Sequence, residues 1–309
     1  MRINTNINSM RTQEYMRQNQ DKMNTSMNRL SSGKRINNAA DDAAGLAIAT
    51  RMRSQENGLG VASRNTQDGI SLIRTADSAL NSVSNILLRM RDLAVQSANG
   101  TNSGTDREAL NKEFGQLVQQ IDYISSNTKF NDIAVLDGAK TSAGAPEIDS
   151  TSKKTKDLTV SIVTDSNGGK MDVSLASIKA SDLGLITAAS AAIPSTGPGD
   201  PGTPATPATP KNITSVDDAK AAIGLIDNAM KSLTSSRADL GAMLNRFDFN
   251  VGNLNSQASS MAASASQIED ADMAKEMSEM TKFKILNEAG ISMLSQANQT
   301  PQMVSKLLQ

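Results

Sequence analysis

The chain has 309 residues, with 31 Lys and Arg against 32 Asp and Glu, so its formal charge of −1 offers no basic surface for nucleic acid or an anionic membrane. Histidine and cysteine are both absent, which removes the usual general base near neutral pH, thiolate nucleophiles, disulfides and the common zinc ligands. Aromatic residues make up 2% of the chain and sixteen residues are Met, so the apolar content lies in Ala, Leu, Ile and Met, a composition suited to long helices rather than to a compact aromatic core.

The remaining reactive side chains form no recognisable catalytic cluster, and the sequence reads as a non-enzyme without a cofactor. The first segment, MRINTNINSMRTQEYMRQNQ, lacks the continuous apolar core of a secretory signal. No run approaches the ~20 apolar residues of a membrane span. By these rules alone the chain is cytoplasmic.

In chain order, Ile3, Ile7 and Met10 make a short apolar stripe, and Met16, Met23, Met27 and Leu30 make a second, shifted by one residue. Asn, Gln and Ser fill the other faces. The stretch RLSSGKRINNAADDAAGLAIA follows, from Arg29 to Ala49, breaking the helical rhythm at Gly33 and resuming it after Asp42. A long helical stripe then runs through Ile73, Ala76, Leu80, Val83, Leu87, Met90 and Ala94, flanked by Leu72, Ala79, Ile86 and Leu93. The turn 98–104, ANGTNSG, sets it antiparallel to a third helix marked by Leu110, Phe114, Leu117, Ile121 and Ile124. Thr105 to Glu108 fits a capping box at its start.

The middle of the chain alternates instead. Leu158, Val160 and Ile162 face Met171, Val173 and Leu175 across Ser166-Asn167-Gly168-Gly169, a β-hairpin pattern. Thr187 to Lys211, rich in Pro, Gly and Thr, reads as an exposed semi-extended loop: a plain linker, or a glycan-bearing or adhesive segment. From Val216 to Ile268 a heptad seam holds for more than seven repeats, broken only by Arg237. At 1.5 Å per residue this is one helix roughly 80 Å long. At the far end Met273, Met277 and Met280 precede Ile285, Ala289, Met293 and Ala297, and Pro301 is expected to interrupt the pattern. Both terminal segments carry too little apolar width to be stable alone, so each needs the other terminus, other copies of the chain, or both. A repeating polymer and a closed dimer or trimer both satisfy that need, and periodicity does not choose between them.

Several motifs then add a resemblance. Arg29-Leu30-Ser31-Ser32-Gly33, Arg35-Ile36-Asn37, Asp41 to Ile48, Asn65 to Leu72, Asp92 to Asn99 and Lys129-Phe130-Asn131 closely resemble bacterial flagellin. So do Ile285 to Gly290 and Gln296 to Gln302 near the C-terminus. The resemblance covers roughly residues 1–185 and 212–309, in order. It implies a mainly α fold: a long coiled-coil-like helical bundle with a small β-hairpin region, and the two termini paired in an inner helical domain. The implied domains are 1–33 with 273–309 as the inner tube, 34–45 as a spoke, and 46–186 with 212–272 as the rod domain, its hairpin at 157–176. Residues 187–211 stand in place of outer domains, which implies a thin, smooth filament.

The same resemblance implies function: a structural subunit exported unfolded, folding at the tip of an extracellular motility filament. It thereby replaces the cytoplasmic reading. It places Lys34, Arg35, Asp41 and Asp42 in contacts between subunits, although plain solvated charges would look the same. It carries a Toll-like receptor 5 surface over to Arg89, Leu93 and Glu113, with Leu88 where receptor-active relatives often have Gln. It implies an export chaperone on Ile285 to Leu308, a distal cap and hook-associated junction proteins as partners. Thr203, Thr206 and Thr209 are candidate glycosylation positions. The rival readings are a hook–filament junction protein, which shares the terminal motifs; a flagellin carrying a zinc protease, which needs the missing His; and a free coiled-coil adhesin, which does not explain motifs at both ends.

Overall fold

A computed structural model describes residues 6–138, 157–187, 209–210 and 212–307. Five helices carry these residues: α1 (Ile7–Ser32), α2 (Ala43–Ala98), α3 (Gly104–Asn127), α4 (Val216–Glu269) and α5 (Met273–Leu307). Three small antiparallel strand pairs complete it: β1 (Lys129–Phe130) with β2 (Ile133–Ala134), β3 (Leu158–Val163) with β4 (Lys170–Leu175), and β5 (Ile186–Thr187) with β6 (Thr209–Pro210). The chain divides into a central unit, residues 58–255, and a terminal unit, residues 1–57 with 256–309.

The central unit holds the hydrophobic core. Along α2 the seam Ile73, Ala76, Leu80, Val83, Leu87, Met90 and Ala94 is buried throughout. On α4, Ala219, Ile226, Leu233, Leu240, Phe247 and Leu254 form the fully buried row, seven residues apart. Ile223, Met230, Leu244 and Val251 pack beside it half-buried. Polar ties fix the antiparallel register of the two helices: Arg91 Nε donates to Asp227 Oδ1 at 3.1 Å, Arg237 Nε to Asp77 Oδ1 at 2.8 Å, and Ser63 Oγ to Asn255 Oδ1 at 3.2 Å. Arg237, the one charge in the seam, is therefore matched by a carboxylate on α2, which raises its already high pKa.

Helix α3 returns antiparallel to α2, tied by Arg107 Nε to the Ser97 carbonyl at 3.1 Å. Its buried face is Phe114, Val118, Ile121 and Ser125, with Leu117 and Ile124 flanking, a rotation from the expected stripe. Ser125 tolerates burial because its hydroxyl donates to the Leu136 carbonyl at 2.8 Å. The capping box sits earlier than expected. Ser103, not Thr105, is the N-cap, and its side chain and Asp106 exchange hydrogen bonds with each other's backbone N–H. The Ser103 hydroxyl also donates to Asp106 Oδ2 at 2.7 Å, and that bond first, then the Ser103 N–H, holds the Asp106 carboxyl below its usual pKa.

Asn131 and Asp132 both have positive φ, 47° and 64°, so Lys129 to Ala134 is a hairpin with a two-residue turn of the I′ kind. The larger hairpin pairs Leu158 with Leu175, Val160 with Val173 and Ile162 with Met171, placing the apolar alternation of both strands on one face over the core. Replacing Phe247 by Ala leaves a cavity in the middle of α4. It is expected to cost about 3–5 kcal/mol, read as a lower denaturation midpoint of the central unit.

Candidate functional site

The terminal unit is built differently. Asn6 caps α1, its side-chain oxygen accepting from the Ser9 N–H, and α1 ends at Gly33, whose φ of 71° suits a residue without Cβ. Helix α5 lies antiparallel along α1. Asn6 Nδ2 donates to the Ala297 carbonyl at 2.8 Å, Asn287 Nδ2 to Gln20 Oε1 at 2.5 Å, and Arg29 Nη1 reaches Glu276 Oε1 at 3.4 Å. The helices touch closely at Gly290, where a Cβ would lie 2.8 Å from Met16 Cγ.

Pro301 does not end α5, which continues to Leu307. Proline lacks the N–H that would bond the carbonyl four residues back, at Ala297, and the Asn6 side chain supplies that missing donor.

Among the described side chains, α1 and α5 bury no apolar residue. The buried ones are Ser26 and Glu276. Glu276 Oε2 and Arg29 Nε have no hydrogen-bond partner among the described residues. Meanwhile Ile7, Met10, Tyr15 and Met27 on α1, and Met273, Met277, Ile285, Leu286, Ile291 and Met293 on α5, are 41–63% exposed. Met16, Met23 and Leu30 on α1 and Met280, Phe283 and Leu294 on α5 are only half-buried, so the pair leaves much apolar surface outward and encloses no fully buried apolar residue.

The breaks between α1 and α2 and between α4 and α5 are joined to each other. Lys34 and Asp270 form an antiparallel bridge; Arg35 N–H donates to the Glu269 carbonyl at 2.6 Å and Ala271 N–H to the Gly33 carbonyl at 2.9 Å. The Glu269 carboxylate, 3% exposed, accepts from Lys34 Nζ at 3.0 Å and Arg53 Nε at 3.1 Å. Lys34, then Arg53, hold it below the ordinary Glu pKa against the opposing effect of burial.

Each spoke residue picked from the sequence is engaged within the chain. Lys34 binds Glu269, and Arg35 Nη2 donates to the Ile268 carbonyl at 2.9 Å. Asp41 accepts from the Asn37 and Asn38 N–H groups at 3.1 and 3.0 Å, which lowers its pKa, the Asn38 bond most. Asp42 accepts from Gly45 N–H at 2.9 Å, the role of an N-cap for α2. Ile36, buried among them, is the apolar anchor of the connector.

Of the receptor residues, Arg89 and Glu113 are brought together, with Nη2 to Oε1 at 2.6 Å on an exposed face. Leu93, the third residue carried over, is 1% exposed and lies in the core of the central unit, where its side chain packs along the buried face of α2. Thr203 and Thr206 lie outside the described residues, and Thr209 opens β6, where it pairs with Thr187. Arg29, Arg53, Glu269 and Glu276 were missed by sequence reading. Only Glu269 carried a signal, as a carboxylate directly after the last seam residue, Ile268. Among the described residues no cluster of acidic side chains could hold a metal ion, and no helix is long and apolar enough to cross a membrane.

Because the folded pKa of Glu269 is depressed, its stabilising effect is complete above the unfolded value, about 4.3, and is lost as pH falls through the folded value. Glu269→Gln should flatten the acid limb of the terminal unit's stability curve below that pH. Glu269→Ala should cost about 1.5–3 kcal/mol at neutral pH, both read by circular dichroism of assembled protein.

The sequence matches two family models: the bacterial flagellin N-terminal helical region over residues 3–141 and the bacterial flagellin C-terminal helical region over residues 223–308. It is 44% identical over 308 residues to flagellin from Listeria innocua, covering 100% of this chain and 99% of that one. It is 37% identical over 311 residues to the flagellar filament 33 kDa core protein of Treponema phagedenis, covering all of both. The structure of a putative flagellar hook-associated protein from Vibrio parahaemolyticus shares the fold, with a TM-score of 0.55 at 16% identity, over 74% of this chain and 100% of that one. With a helical bundle whose terminal pair faces its apolar residues outward, the chain belongs to the bacterial flagellin family and is a structural subunit of the extracellular flagellar filament.

Proposed function

We propose that this chain polymerises through α1 and α5, which pack against the same helices of other copies to form the inner tube of the filament. The observation that carries this reading is the exposed apolar surface of the pair: among the described side chains no apolar residue of α1 or α5 is fully buried, and ten Ile, Leu, Met and Tyr side chains face solvent. Residues 1–33 and 273–309 then form the inner-tube domain, 34–45 the spoke, and 46–186 with 212–272 the rod domain, while 187–211 replaces outer domains and leaves the filament thin and smooth. The contacts of Lys34, Arg35, Asp41 and Asp42 within the chain first shape the spoke, whose exposed edges then meet neighbouring subunits.

The role is structural and not enzymatic, supported by a sequence without His or Cys. Export proceeds unfolded, with folding at the distal tip under a cap, and the chain joins the hook through hook-associated junction proteins. Terminal helices that lack a core of their own are suited to threading. An export chaperone would cover the C-terminal segment Ile285 to Leu308, whose Ile285, Leu286, Ile291 and Met293 are exposed in the single chain. In the monomer, the exposed Arg89–Glu113 pair on α2 and α3 is the centre of a Toll-like receptor 5 surface, with buried Leu93 supporting it from below.

Deleting residues 1–32 or 273–309 should abolish filaments seen by negative-stain electron microscopy after seeding, while the central unit keeps its helical spectrum. Filaments formed by either deletion would overturn the inner-tube reading. For the receptor, Arg89→Ala should weaken activation by monomer at least tenfold, about 1.4 kcal/mol, in a cell reporter assay.

A further inference from the structure

The chain holds sixteen methionines, and their exposure is partitioned. Met10, Met27, Met273, Met277 and Met293 are 47–63% exposed, and all five lie on α1 or α5. Every other methionine whose side chain is described is half-buried or buried, Met90 of the central core completely. The antiparallel register set by Asn6–Ala297 and Arg29–Glu276 puts Met10 level with Met293 at one end of the pair. Met27 lies level with Met273 and Met277 at the other.

We propose that these five thioethers are a reversible oxidation site through which hydroperoxides control polymerisation. This rests on the reading that copies meet through α1 and α5. In the reaction a thioether sulfur donates an electron pair to one peroxide oxygen. An S–O bond forms, the O–O bond breaks, and the departing oxygen takes up the proton that the transferred oxygen gives up, leaving as water from hydrogen peroxide or as an alcohol from an organic hydroperoxide, so sulfur is oxidised by two electrons and the peroxide reduced by two. A methionine sulfoxide reductase with a thiol reductant reverses it.

The consequence follows from the surface. A sulfoxide is a strong dipole and hydrogen-bond acceptor. On a face that must shed water when copies pack, it has to be desolvated without a donor waiting for it. The terminal helices have no internal apolar core to compensate, so the penalty falls on association. The single chain is the sensitive form, since its five sulfurs face solvent and packing would shield them. Leu in place of Met keeps the volume and apolar character without the reactive sulfur.

The test uses the full chain treated with hydrogen peroxide, with oxidation at the five positions followed by peptide mass, and the critical concentration for seeded polymerisation measured before and after. The expected result is at least a tenfold rise on oxidation, reversed by sulfoxide reductase, and a chain with Met→Leu at all five positions that polymerises and ignores peroxide. Complete oxidation with an unchanged critical concentration would overturn the proposal. So would a five-Leu chain that loses assembly in peroxide as the native one does. If the five-Leu chain does not polymerise at all, the reductase decides: recovery supports the site, and failure to recover after full reduction refutes it. If the untreated native chain does not polymerise, the filament reading falls first and this proposal falls with it.

Discussion

The rest of the structure depends on a shortage: α1 and α5 have each other, but no described apolar side chain of either is fully buried. Their buried side chains are Ser26 and Glu276, and Glu276 faces Arg29 with one oxygen unpartnered. A buried ion pair of this kind returns little net stability, because desolvating the charges offsets most of their attraction. The hydrophobic effect that would normally fix two helices is left on their outer faces, available only to something that covers them. In the polymer proposed above, that cover is supplied by other copies. Weak internal cohesion is then a condition of assembly, since a terminal pair with its own dry core would have little apolar surface left to bury on polymerising.

The place where this pair is held is the double connector at Gly33–Ile36 and Glu269–Ala271. Two helix breaks, more than two hundred residues apart in sequence, share backbone hydrogen bonds and one buried carboxylate. The backbone bonds set where each helix must stop. Glu269, gripped by Lys34 and Arg53, adds a charge-assisted tie whose strength depends on pH. The shape of this connector is therefore set by contacts within its own chain. Asp41 and Asp42 serve local turns and an N-cap in the same way.

Much of this was legible in the sequence where periodicity carries the physics. The seam of α4 was readable position by position because seven-residue spacing and burial are the same fact; the partner of its exception, Arg237, came only with the structure, as Asp77. The hairpin at 158–175 was readable because alternation around Asn-Gly leaves few other folds. Other features were not. The face of α3 is turned towards Val118 and Ser125, whose hydroxyl is satisfied by the Leu136 carbonyl, a contact visible only in three dimensions. Pro301 breaks helices in sequence rules, yet Asn6, nearly three hundred residues away, answers its missing donor. Leu93 was carried over as a contact residue from motif similarity, and motif similarity says nothing about which way a side chain faces. The Glu269 and Glu276 ion pairs were hidden for the same reason: each joins distant segments without a local pattern.

The central claim is that α1 and α5 are stabilised by association between copies while the central unit is stable by itself. Hydrogen–deuterium exchange on the same chain as monomer and as filament tests it most directly. The account predicts fast exchange across Ile7–Ser32 and Met273–Leu307 in the monomer, strong protection of both in the filament, and a central unit protected in each state. Equal protection of the terminal helices in monomer and filament would contradict it, because it would mean that the pair is already stable without neighbours.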